Sequence, residues 1–175
     1  MEDVWLGGWF GWAQGVALLV AGQRLAELAW AKRNERRLRA AGALEHGRRH
    51  YPLFVGLHAA WLLALFVGVP PSARPDWWLL GLFGLLQLAR LWIVASLGRF
   101  WTTRVISLPG APLLRRGPYR WLEHPNYLVV ALELAVLPLA FGAWWLALAA
   151  SLLNLPLTRH RIRVEAAALA GRRGA

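Results

Sequence analysis

The stretch WWLLGLFGLLQLARLWIVASL, from Trp77 to Leu97, decides the fold class. An α-helix needs roughly 20 residues to cross the hydrocarbon of a bilayer, and this run has that length with Gln87, Arg90 and Ser96 as its polar interruptions. Three more apolar blocks flank it: Val4 to Trp30, Leu53 to Val69 and Tyr127 to Leu157. Between the second block and the quoted stretch, Pro70-Pro71-Ser72-Ala73-Arg74-Pro75-Asp76 is a turn that no helix crosses. The last block is too long for one ordinary span and is broken at Phe141-Gly142-Ala143-Trp144, so it reads as two short helices forming a hairpin, either spanning or re-entrant. The expected fold is an all-α integral membrane protein with about five transmembrane helices. It forms a single integrated domain: residues 1–97 are a three-helix membrane region, and 98–175 hold a loop, the hairpin and a C-terminal helix.

Composition agrees. The chain is 58% hydrophobic and 17% charged with mean hydropathy +0.39, values that point to a bilayer as solvent. Its 12 Trp, several in pairs such as Trp77-Trp78 and Trp144-Trp145, suit interfacial belts. A net charge of +11 raises the question of nucleic acid, but the cations border apolar segments and form no face of their own. No Cys is present, so thiolate chemistry and disulfides are excluded, and no metal-ligand cluster stands out. Met1-Glu2-Asp3 lacks the basic start of a cleaved signal peptide, so the first block is expected to stay in the membrane.

The basic residues set the topology. Of the 20 Lys and Arg, 17 lie in the Lys32–Arg49 loop, the Gly98–His124 loop and the tail after Thr158, all on one side of the expected spans. Positive-inside bias then puts the N-terminus out and the C-terminus in, with the active site facing the cytosol and the protein multi-pass in the cell (inner) membrane. Within the first span, Gly7, Gly11 and Gly15 repeat every four residues and predict close helix packing, inside one chain or across a homodimer.

Ionisable residues inside spans mark functional positions. Arg24, His58, Gln87, Arg90 and Glu133 fall at one depth in the cytosolic half and predict a polar floor, with Arg90 and Glu133 as its ion pair. Simpler readings exist for two of them: Arg24 snorkels with Glu27 one turn on, and His58 is a satisfied packing residue.

The stretch with the most chemistry is Arg116-Gly117-Pro118-Tyr119-Arg120-Trp121-Leu122-Glu123-His124-Pro125-Asn126-Tyr127. Pro125 suits the first turn of a helix, whose free N–H groups and positive dipole end form a seat for a carboxylate. Tyr119 and Tyr127 offer π-faces to a cation, and His124 a hydrogen-bonding ring. Further on, Arg161 and Glu165 share one face if the tail is helical, as a surface salt bridge or as part of a site.

Gly-Pro-Tyr-Arg-x-x-x-His-Pro-x-Tyr, a hydrophobic hairpin, and then Arg-Ile-x-x-Glu resemble the isoprenylcysteine carboxyl methyltransferase family of membrane enzymes over roughly Gly98 to Leu169. The upstream Arg99-Phe100-Trp101-Thr102-Thr103-Arg104-Val105-Ile106 with Leu108-Pro109-Gly110 is similar to the bacterial branch resembling alkylpyrone and alkylresorcinol O-methyltransferases. The resemblance implies S-adenosylmethionine as cofactor, bound by Tyr119, His124, Pro125, Asn126, Tyr127 and Glu165 and by main chain around Pro112, Leu113 and Leu114. It also implies that Arg161 faces a lipophilic acceptor arriving from the membrane lipids. The general base is then one of His124, Glu133 and Glu165. Two departures, Ala111-Pro112 in place of a His and Ala166 in place of a second Glu, count against a prenylcysteine acceptor. Competing readings are a phospholipid N-methyltransferase, a related NADPH-dependent membrane reductase and a non-enzymatic small membrane protein.

Overall fold

A computed structural model describes residues 8, 10–111 and 114–170. Five helices carry the fold: α1 (Trp12–Ala40), α2 (Tyr51–Gly68), α3 (Trp77–Leu97), α4 (Pro125–Ala140) and α5 (Trp144–Leu169). A two-stranded antiparallel ribbon joins β1 (Leu44–His46) to β2 (Val105–Ser107), pairing Glu45 with Ile106. Among the described residues, the segments Arg48–Gly68 and Trp77–Phe100 are long and apolar enough to cross a membrane, and α4 is a shorter apolar helix. With 16 residues, α4 is roughly 24 Å long, short of a hydrocarbon core of about 30 Å.

The boundaries follow local chemistry. Asp76 caps α3, its carboxylate accepting from the N–H groups of Trp78 at 2.9 Å and Leu79 at 3.1 Å. The Asp76 N–H donates to the Ala140 carbonyl at 2.7 Å, which clamps the start of α3 to the end of α4. Pro125 occupies the first turn of α4, where its missing N–H costs nothing. Beyond Pro138 the chain turns through Gly142 at φ +70° into α5, so the expected hairpin is present. Gly11 backs onto the turn before α3: a Cβ there would stand 1.8 Å from the Pro71 carbonyl oxygen, so this glycine packs inside the chain. Gly15 faces open space, and Gly7 lies outside the described residues.

Helix α4 is the centre of the bundle, with Leu134, Leu137, Pro138 and Glu133 fully buried between α3 and α5. Leucines on the outer faces of α2, α3 and α5 are exposed, Leu63, Leu85 and Leu152 among them, as a lipid-facing surface requires. Trp12, Trp77, Trp78 and Trp144 crowd the end away from the long loops, where Trp12 meets the Trp77 ring edge-on at 5.3 Å.

Three expectations are corrected. The basic run from Lys32 to Arg39 is not a loop: α1 continues through it to Ala40, and Asn34, buried on its inner face, donates to the carbonyls of Gly98 and Trp101, both at 2.9 Å. The Trp101 carbonyl would otherwise lack this donor, and the two contacts tie the last turns of α1 to the start of the 98–124 loop. Second, the tail is the second half of α5, unbroken through Pro156.

Third, Arg90 and Glu133 are only the weaker contact of a larger polar floor, at 3.5 Å. Glu27 is the nearer partner of Arg90 at 2.6 Å, and Arg24 reaches Glu133 at 2.7 Å and Glu27 at 3.2 Å, while Gln87 donates to Glu133 at 2.9 Å. Two cations and two carboxylates neutralise one another because neither charge alone is tolerable away from water. His58 sits outside this group and is satisfied by the Phe54 carbonyl at 2.8 Å.

The ribbon is pinned to α1 by a second network, in which Arg39 and Arg104 both hold Glu45. Burial alone would raise the Glu45 carboxyl, but the hydrogen bonds from Arg104 and Arg39 outweigh it and hold it below the usual carboxylate range.

Two outcomes are expected. Glu27→Gln leaves Arg24 and Arg90 to share the one carboxylate of Glu133 and is expected to cost about 3–5 kcal/mol, with the double variant Glu27→Gln, Arg90→Gln less destabilised than the single; thermal unfolding in detergent compares them. Because the folded-state pKa of Glu45 is depressed, its contribution is present above the ordinary carboxylate range and is lost as pH falls through the lower folded value. The stability gap between the wild type and Glu45→Gln is therefore expected to hold at neutral pH and shrink on acidification, as read from midpoints across a pH series.

Candidate functional site

Two adjoining cavities open at the loop end of the bundle. The inner one, about 170 Å³, is walled by Asn126 and Tyr127 of α4, Arg161 and Glu165 of α5, and Tyr119 and His124 of the connecting loop. The outer one, about 540 Å³, shares Tyr119, His124 and Glu165 and extends past Ala111 and Leu114. Residues far apart in sequence meet here because the hairpin lays the start of α4 beside the second half of α5.

Arg161 and Glu165 turn inward, and the hydroxyl of Tyr127 joins them: it donates to Glu165 at 2.7 Å and accepts from Arg161 Nε at 3.0 Å. Of the two readings the sequence left open for this pair, a surface bridge is thereby excluded. Arg161 Nη2 donates to the Thr103 carbonyl at 2.7 Å, and its guanidinium lies 5.2 Å from the ring of Phe54 and 5.8 Å from that of Tyr127. The two nitrogens that donate hold the plane in place. Nη1 makes no hydrogen bond to another described residue and is left for a ligand oxygen.

His124 stacks on Tyr127, ring centroids 5.3 Å apart, and its Nδ1 is 3.5 Å from Glu165. One carboxylate therefore faces both a phenol and an imidazole. Burial, with the nearby Glu165 charge adding to it, holds the Tyr119 phenol well above its usual range, so this ring is neutral at any physiological pH.

The segment that carries Tyr119 is set against α3 by Gly117, at φ +56°. A Cβ there would come within 2.1 Å of the Ser96 hydroxyl, and the Arg116 Nε donates to the Ser96 carbonyl at 2.7 Å, so the loop lies flush on the end of α3.

The remaining sequence-derived candidates fall elsewhere. Pro125 is buried at the helix start behind the cavity wall, Leu114 lines the outer cavity, and Pro112 and Leu113 lie outside the described residues. Glu133 belongs to the polar floor and lines neither cavity, yet the floor touches the site: Arg90 Nη1 is 3.5 Å from Asn126 Oδ1, and its guanidinium lies 5.9 Å from the ring of Trp101, another inner-cavity residue. Sequence reasoning missed Glu27 as a floor member and Thr103 and Phe54 as holders of Arg161. For Glu27 a signal existed, a carboxylate inside an apolar helix; for Thr103 and Phe54 none did, since a main-chain acceptor and a ring face leave no pattern.

The sequence model of the isoprenylcysteine carboxyl methyltransferase family matches residues 79–171, a span that contains every described wall residue named above for the inner cavity. The chain is 38% identical to a Bacillus subtilis protein named "Uncharacterized protein YpbQ", over 88% of this chain and 94% of that one. It is 26% identical to an uncharacterized protein of Haemophilus influenzae, over 83% of this chain and 88% of the other. No solved structure matches it.

Gly117→Ala is expected to cost about 1–3 kcal/mol for the left-handed backbone, plus the clash with Ser96. Gly142→Ala meets the same backbone penalty at φ +70° with nothing within 4 Å, so it is expected to be the milder change in thermal unfolding.

Proposed function

The chain belongs to the isoprenylcysteine carboxyl methyltransferase family, and on that premise we propose that it is an S-adenosylmethionine-dependent methyltransferase that methylates an oxygen of a lipophilic acceptor drawn from the bilayer. The observation that carries this reading is the Arg161–Tyr127–Glu165–His124 array, in which an anion, two π-faces and a held guanidinium line one cavity.

The cavities fit the cofactor on two counts. The outer cavity, about 540 Å³, lies in the range of small-molecule sites with the inner one adjoining it, and the donor set suits a zwitterion with a cationic centre. Glu165 and the faces of Tyr119 and Tyr127 would hold a sulfonium, while the Asn126 N–H at the positive end of α4 would take a carboxylate. When bound, the cofactor supplies an electrophilic methyl group.

The chain's own part is to position and to move a proton. Arg161 Nη1 holds the acceptor oxygen and balances its negative charge. His124, oriented by Glu165, would take the acceptor's proton and hold it on the imidazole, leaving the acceptor oxygen free to receive the methyl group that the bound cofactor would supply. Apolar residues such as Leu97 and Phe100 keep water from the reacting pair. A phenolic or enolic alkyl lipid is the acceptor class that matches this need for deprotonation.

The five helices are proposed to sit in the cell membrane with the N-terminus outside and the loop end cytosolic. The 17 Lys and Arg of residues 32–49, the 98–124 loop and the chain after Thr158 support that orientation.

Arg161→Ala is expected to abolish product formation from labelled S-adenosylmethionine and an alkylresorcinol or alkylpyrone while S-adenosylhomocysteine still raises the thermal midpoint. Normal turnover in this variant would refute the role of Arg161. Stabilisation of the wild type by NADPH in place of S-adenosylhomocysteine would refute the methyltransferase reading itself.

A further inference from the structure

A third recess, a groove of about 610 Å³ that shares Arg104 with the inner cavity, lies between α1 and the start of α2, walled by Leu28, Lys32 and Arg36 on one side and Tyr51 and Val55 on the other. Its charges are unevenly matched. Arg39 and Arg104, which also line it, are held by Glu35 and Glu45. Lys32 and Arg36, one turn apart on α1 and exposed, form no ion pair with a described residue.

The depth of the groove follows from the register of α1 on α2. At the far end, Gln14 Nε2 donates to the carbonyls of Phe66 at 2.9 Å and Val69 at 2.8 Å, so those positions are level. Counting equal steps from Gln14 and Val69 along the two antiparallel helices, roughly 27 Å, brings Lys32 level with Tyr51 and Leu28 level with Val55. That distance is close to the hydrocarbon thickness of about 30 Å. Lys32 and Arg36 therefore stand at headgroup depth, and Leu28 and Val55 at the depth of the first acyl carbons. Leu25, 67% exposed, continues the apolar side of α1 below them.

We propose that this groove seats an anionic phospholipid, its phosphate on Lys32 and Arg36 and its acyl chains against Leu25, Leu28 and Val55. A free phosphate would use the two cations and leave the apolar lower half uncovered, whereas a lipid satisfies both halves. The inference does not depend on the methyltransferase reading, because Leu28, Lys32, Arg36 and Val55 line neither of the other two cavities; only Arg104, 4.3 Å from the Tyr51 ring, is shared with the inner one.

The test uses the full chain purified in a neutral detergent, titrated with phosphatidylglycerol, phosphatidylcholine or glycerol 3-phosphate, with the thermal midpoint and native mass spectrometry as readouts. Phosphatidylglycerol is expected to bind and stabilise, and the other two are not. The double variant Lys32→Gln, Arg36→Gln is expected to weaken phosphatidylglycerol by about 10- to 30-fold. Arg33→Gln, Arg37→Gln, which removes the same charge from residues outside the groove, is expected to keep most of the affinity. Equal stabilisation by phosphatidylcholine, equal losses in both double variants, or glycerol 3-phosphate matching the lipid would each overturn the proposal. S-adenosylhomocysteine binding on the same preparations reads the other site separately.

Discussion

An ion inside a bilayer must find its counter-ion or leave, and this bundle is arranged around that constraint. Arg24 and Glu27 come from α1, Arg90 from α3 and Glu133 from α4, and their contacts at 2.6 to 3.5 Å leave no net charge in the group. Sliding any of the three helices by one turn would bury an unpaired charge, at several kcal/mol. The quartet thus selects a single relative depth for helices whose leucine faces would tolerate many.

What rests on that register is the site. Arg90 reaches from the quartet to Asn126 and lies by the Trp101 ring, so the floor of the inner cavity is continuous with the ionic layer. The hairpin carries α5 back past the start of α4 and beyond the apolar bundle as one helix. Arg161 and Glu165 inherit their angular phase from that rigid continuation, and Tyr127 joins them from the first turn of the neighbouring helix. A site of this kind is held by helix ends and their packing, which suits a reaction driven by positioning.

The same polar residues explain why α1 differs from the other helices. Gln14, Glu27 and Asn34 are buried along its inner side, bonded respectively to α2, to the ionic layer and to the start of the 98–124 loop. It serves both as a helix of the bundle and as the post to which the β-ribbon and the loop are tied through Asn34, Glu35 and Arg39.

From the sequence alone, the all-helical membrane class, the boundaries of α3, the terminal hairpin and the candidate residues of the 116–127 and 161–165 motifs were legible. They depend on apolar run length, proline and glycine punctuation and residue type, which are local properties. The tertiary structure decided which charges pair, that α1 runs on through the basic segment to Ala40, that β1 and β2 find each other, and that Arg161 and Glu165 meet through a tyrosine hydroxyl. Those outcomes depend on distances between segments remote in sequence, and at equal depth Arg90 had two carboxylates within reach. Only the rotation of each helix about its axis, set by packing across the whole bundle, could choose between Glu27 and Glu133.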